Sequence, residues 1–208
     1  MIGKPKVAII TSTYNRASKI IDRCVRTVQY QTYGIENIIH YVCHDGPGDI
    51  AYDFSQWKNV MYTETPEITC NYGAGVRQYI LDKYLRDSTD IEYILHLDDD
   101  NVIFPEFIET HVNVLEQNPD KHFSICKILH LGPLPAHLGM PPQIITGIPP
   151  VFRNIDTLQI VVRKKAMLEC SWTQHHGSAA YCNDGYTYEK LGKMFKWVSV
   201  PELLAVHI

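Results

Sequence analysis

The 208-residue chain has no Cys-x-x-Cys pair, no apolar run near the length of a bilayer span and no excess of positive charge. Each absence removes a class of function. Six scattered cysteines (Cys24, Cys43, Cys70, Cys126, Cys170, Cys182) lack zinc-site spacing and read as reduced thiols. A membrane span needs roughly 20 consecutive apolar residues, and none occur. A net charge of −4 argues against a protein that grips nucleic acid through its phosphates. The first apolar run, Val7–Ile10, is too short for a signal peptide, which points to the cytoplasm. There is no Gly-x-x-x-x-Gly-Lys-Ser/Thr and no Gly-x-Ser-x-Gly. Gly73-Ala74-Gly75-Val76-Arg77-Gln78 lacks the third glycine and the preceding strand of a dinucleotide fingerprint. P-loop kinases, α/β-hydrolases and Rossmann dehydrogenases are thereby disfavoured.

Hydrophobic residues make up 45% of the chain and charged residues 20%, so a real core is expected, in a length suited to one domain. Periodicity predicts strands at Lys6–Thr11, Asn37–Cys43, Val60–Thr63, Tyr93–Leu97, Phe123–Leu129, Leu158–Val162, Trp197–Val200 and Leu203–His207. Helices are predicted from Ser18, read as its N-cap, over Gly75–Leu85, from Pro105 to about Gln117, over Lys164–Cys170 and over Asp184–Phe195. Alternating strands and helices imply an α/β fold with a mostly parallel central sheet flanked by helices. His130–Pro150 is rich in proline and glycine and too long for a simple connector, as a lid or binding loop would be.

The most informative segment is Tyr93-Ile94-Leu95-His96-Leu97 running into Asp98-Asp99-Asp100-Asn101. Acids at the carboxyl end of a buried strand lie where open α/β sheets bind ligands. On an extended chain Asp98 and Asp100 face one side, roughly 6 to 7 Å apart, and Asp99 faces the other. Three clustered carboxylates repel unless a cation or cationic partner intervenes. That favours Mg²⁺ or Mn²⁺, hard ions that prefer carboxylate and phosphate oxygens. Helix capping near Pro105 would use one acid and leave the others unexplained.

Four segments in order resemble family 2 glycosyltransferases of the GT-A fold. They are Val7-Ala8-Ile9-Ile10-Thr11-Ser12-Thr13-Tyr14-Asn15-Arg16, Asp45-Gly46, Asn71-Tyr72-Gly73-Ala74-Gly75-Val76-Arg77, and Leu97-Asp98-Asp99-Asp100-Asn101. The match covers residues 6 to about 117, and only the combination is specific. Later, Asn183-Asp184-Gly185-Tyr186 is similar to the family's acidic pair before a late helix, with Asn in place of an acid. His207 is similar to a late metal-binding histidine. The chain also resembles compact domains of larger glycosylation proteins, including those that decorate capsids of large algal viruses.

The resemblance implies a single GT-A domain over 1–208, with a nucleotide-binding half (1–117) and an acceptor-side half (118–208). It implies metal-dependent transfer, with inversion, from a UDP-sugar or other nucleotide-diphosphate sugar to a glycan or other hydroxyl acceptor. Asp45 would bind the base, Thr11 and Tyr14 the base and ribose, and Arg16 or Arg77 a phosphate or base edge. Thr13, Asn71 and Asp99 join this nucleotide-binding group. Asp98 would bind the ribose or a metal-bound water, Asp100 and His207 would ligate Mn²⁺ or Mg²⁺, and Asp184 would be the general base. Tyr181, Tyr186, Tyr188 and Trp172 could stack on an acceptor sugar, with His175 and His176 nearby. Two alternatives stay open: a sugar nucleotidyltransferase, against which the glycine-free Thr11–Arg16 loop counts, and an inactive carbohydrate-binding module.

Overall fold

The computed structural model describes residues 3–48, 50–132 and 143–208. The centre of the proline-rich loop therefore lies outside the described residues. Among the described residues nine strands form one sheet: β1 (Lys6–Thr13), β2 (Ile38–His44), β3 (Val60–Glu64), β4 (Ile91–His96), β5 (Val102–Ile103), β6 (Phe123–His130), β7 (Gln143–Ile145), β8 (Ile160–Arg163) and β9 (Trp197–His207). The order is β3-β2-β1-β4-β8-β6-β9-β5, with β7 beside β6. β1, β2, β3, β4, β6 and β9 run one way, and β5, β7 and β8 run against them.

Among the described residues five α-helices cover the sheet: α1 (Ser18–Gln29), α2 (Ala74–Ile80, continued by a wider turn over Leu81–Leu85), α3 (Phe107–Gln117), α4 (Lys164–Cys170) and α5 (Asn183–Met194). β1 shows why both faces need cover. Val7, Ile9, Ala8 and Ile10 are all fully buried, and alternate side chains of a strand point to opposite faces. Val7 and Ile9 pack with Cys24 and Val28 of α1 and Phe107, Val112 and Leu115 of α3. Ala8 and Ile10 pack with Val76 and Ile80 of α2, Met167 of α4 and Tyr188 and Leu191 of α5. A continuous apolar run is what a strand buried on both sides requires.

Several local expectations change. Ser18 does not cap α1: the N-cap is Ala17, and the Ser18 hydroxyl donates to the Ala51 carbonyl at 2.6 Å. α3 starts at Phe107, so Pro105 precedes it. The two closing strands are one, β9, whose register against β6 shifts around Lys127. Such an irregularity lets Pro201 sit within the strand. The two-residue β5 and three-residue β7 are too short to leave a periodic signal.

Candidate active site

The carboxyl ends of β1, β2 and β4 open into a cleft of about 810 Å³. Its walls include Thr13, Tyr14 and Arg16 after β1, Asp45 after β2, all three acids after β4, and Asp156, Asp184 and His207 from the second half.

The acid segment is a tight turn, not an extended continuation of β4, closed by the Asn101 amide donating to the Asp98 carbonyl at 3.1 Å. The alternation expected of Asp98, Asp99 and Asp100 is therefore corrected. Arg77 pairs with Asp98, while Arg16 reaches both Asp99 (3.0 Å) and Asp100 (2.9 Å). α1 fixes the turn from behind, Arg23 donating to the Asp100 carbonyl at 2.8 Å and Cys24 to that of Asp98 at 3.6 Å. Two guanidiniums thus supply the cationic partners that three neighbouring carboxylates need. Burial still pushes Asp98 above the usual carboxylate range against the pull of Arg77, and pushes Asp99 up to about 6.

Arg77 is itself held. Its guanidinium lies 4.8 Å above the Trp172 ring, whose indole N–H donates to His96 Nε2 at 3.2 Å. The other His96 nitrogen is 3.1 Å from the Tyr188 hydroxyl. Burial keeps His96 well below its ordinary pKa, hence neutral, as an acceptor of the indole N–H must be at Nε2. Trp172 and Tyr188 are accordingly buried in this network and offer no stacking face to an acceptor.

Other expected site residues divide into lining and support. Thr13, Tyr14 and Asp45 line the cleft. The Tyr14 ring lies 5.7 Å from that of His44, and Asp45 Oδ1 accepts from the Thr69 amide at 2.7 Å. Thr11 lies behind the cleft, its hydroxyl 2.9 Å from His40 Nε2 and the residue 1% exposed. Asn71 is equally buried and accepts from the Gly75 amide at 2.7 Å, fixing the start of α2. Around it Cys70 (φ 53°), Tyr72 (φ 53°) and Gly73 (φ 82°) are left-handed. A side chain at Gly73 would run into Ser12, so β1 and α2 can meet there only through glycine. Tyr72 and Tyr181 are both exposed and meet edge to face at 5.6 Å on the cleft lip. His175 is exposed and contacts the Tyr186 ring; neither it nor His176 lines the cleft.

Asp184 occupies the first turn of α5 without capping it, the N-cap being Cys182. Burial, helped by the charge of Asp156, pushes its carboxyl up to about 6, and the Thr157 hydroxyl donates to it at 3.4 Å.

His207, expected to share a metal with Asp100, is bonded through Nδ1 to Asp156 at 3.0 Å. Burial alone would lower its pKa, but the bond to Asp156 and that residue's charge lift it to about 9. His130 stacks on His207 with ring centroids 4.0 Å apart. Ligand atoms of His130, Asp156 and His207 lie within 4.8 Å of one another. Sequence reasoning missed Asp156 and His130. Asp156 looks like an ordinary cap of the turn Thr157–Gln159, which it also is, and His130 ends an unremarkable strand.

The donor set suits a divalent cation. Each arginine leaves one oxygen of Asp98 and of Asp100 outside its ion pair, and two imidazoles with a carboxylate form a second cluster in the same cleft.

No protein-family model matches the chain, and no curated protein is similar to it in sequence. Solved structures do share its fold. S. aureus TarS superposes with a TM-score of 0.70 at 13% identity, covering 97% of this chain and 36% of TarS. TarS 1–349 in complex with UDP-GlcNAc gives 0.72 at 13% identity, covering 97% and 58%. The mannosyltransferase PcManGT from Pyrobaculum calidifontis, in complex with GDP-Man and Mn²⁺, gives 0.63 at 15% identity, covering 99% and 57%. The chain thus spans 36% to 58% of the length of these three structures. Its curled sheet flanked by helices is the GT-A-like fold of glycosyltransferases.

Proposed function

We propose that this chain transfers a sugar from a nucleotide-diphosphate sugar, UDP-linked by preference, to a hydroxyl of a glycan acceptor. The observation that carries the reading is the convergence, in one cleft, of three acids at the end of β4 with Asp45 at the end of β2 and Asp184 opposite. On this reading Tyr14 and Asp45 take the base, and Thr13 and Asp98 the ribose and adjoining phosphate, all four lining the cleft. Arg16 and Arg77, already next to the acids, balance charge there as the diphosphate enters.

The residues fit a divalent cation through the remaining oxygens of Asp98 and Asp100. When bound, such an ion supplies Lewis-acid neutralisation of the departing diphosphate. Asp184 acts as the base. It takes the proton of the acceptor hydroxyl while that oxygen bonds to the anomeric carbon, and the carbon–oxygen bond to the diphosphate breaks with its electron pair leaving on the diphosphate. Attack from the face opposite the diphosphate inverts the anomeric centre. A carboxylate with a pKa near 6 is matched to that task at neutral pH.

Calorimetric titration of UDP into the protein, with Mn²⁺ and then with EDTA, tests the reading. Binding that requires the metal supports it. Absence of binding to UDP, GDP and dTDP alike would sink it. The anomeric proton coupling of the product decides between inversion and retention.

A further inference from the structure

His130 ends β6 and His207 ends β9, and the two are register partners on neighbouring parallel strands. Partners in register project to the same side of a sheet, which is why the two imidazoles lie face to face, 14° from parallel. Asp156 comes to the same point from outside the sheet, its carboxylate held by the Leu158 amide at 2.9 Å as well as by His207. His130 is 6% exposed, yet its Nδ1 finds no hydrogen-bond partner among the described residues. A buried ring nitrogen normally has a partner, and this one, set beside Asp156 and His207, is left available to a ligand. None of these three residues contacts Arg16 or Arg77 by a hydrogen bond, whereas the three acids of the β4 turn do.

We propose that His130, Asp156 and His207 form a transition-metal site of their own, distinct from the cation position at Asp98 and Asp100. Two imidazole nitrogens and one carboxylate oxygen select Mn²⁺, Co²⁺ or Zn²⁺ over Mg²⁺, for which all-oxygen sites are the better match. Asp156 serves as ligand here, and its other oxygen, anchored by the Leu158 amide, fixes its orientation, as supporting hydrogen bonds do for metal-bound carboxylates. The site needs no nucleotide, so it stands or falls apart from the transfer reaction.

The test is titration of Co²⁺ alone into the full chain, followed by its visible absorption, with Mg²⁺ as competitor. One Co²⁺ should bind without nucleotide and resist displacement by excess Mg²⁺. His130→Gln should weaken it by at least about tenfold, the loss that even an outer-shell partner typically causes. In the unaltered protein, pulsed EPR of bound Mn²⁺ should show coupling to two imidazole nitrogens, a readout independent of whether the variant folds. Failure to bind Co²⁺, equal competition by Mg²⁺, or fewer than two nitrogen couplings would overturn the site. So would Co²⁺ binding that Asp100→Asn abolishes and His130→Gln leaves intact. None of these results would touch nucleotide binding measured with UDP.

Discussion

Arg77 holds Asp98 from a position where its own side chain is only 5% exposed, with its guanidinium resting 4.8 Å over Trp172. The pair is therefore an anchor for the acid turn, sheltered from salt in a way that the more exposed Arg16 is not.

Removing one partner should show this directly. Arg77→Met removes the buried cation beside Asp98, whose carboxylate is half-buried in the cleft wall, and is expected to cost about 1.5 kcal/mol in urea unfolding, the lower range for a hydrogen bond to a charged group. Adding Asp98→Asn should recover much of that loss, because the uncompensated charge goes with it. Arg77→Lys should rescue only partly, since an ammonium lacks the planar face that rests on the indole.

Asp184→Asn should lower transfer by about 10² to 10⁴-fold, the usual worth of a general base, while UDP binds as before. Unaltered transfer in this variant would place the base elsewhere.

The pH behaviour of Asp184 has a definite sign. Its folded pKa is raised to about 6, above the ordinary 3.8, so the native state binds this proton more tightly than the unfolded chain. The group's contribution to stability rises as pH falls from above 6 towards 3.8, while transfer falls as pH drops through 6. In the whole protein the buried neutral His40, His96 and His111 pull stability the other way at acid pH, so the difference in melting temperature between the unaltered protein and Asp184→Asn, which should shift in favour of the unaltered protein as pH falls through 6, isolates the Asp184 share.

Asp100→Ala should abolish the metal dependence of UDP binding. Calorimetry with Mn²⁺ and with EDTA should then give the same weak isotherm.

Cys70 and Tyr72 hold left-handed backbone without being glycine. Such conformations cost of order 1 kcal/mol and persist where function requires them. Cys70→Gly should raise stability by roughly 1 kcal/mol in thermal melts.

Much of the architecture was legible because its signals are local. Val7–Ile10 and Tyr93–Leu97 announce buried strands by unbroken apolarity, and the stripe Ile20, Ile21, Cys24, Val25, Val28 announces α1, with Ile20 only half-buried at its edge. The acid triplet is legible on its own, as charge at the end of an apolar strand, whereas Asp45 and Arg77 stand out only through the resemblance; all of them line one cleft. What escaped is non-local. The turn that sends Asp99 and Asp100 together to Arg16 depends on contacts from α1, and the meeting of His130 with His207, 77 positions apart in the chain, depends on β6 pairing with β9. Thr11 misled for a related reason: the burial that removes it from the cleft comes from His40 on the next strand.

β4, which carries the acids, lies between β1 from the start of the chain and β8, residues 160–163. A fragment ending near residue 117 would keep the β1 side of β4 but expose Tyr93, Ile94 and Leu95 along an open edge where Val161, Val162 and Arg163 now pair. Bare apolar edges of this kind recruit other chains. An excised nucleotide-binding half is thus expected to self-associate, and light scattering on such a fragment, beside the full chain, would register it.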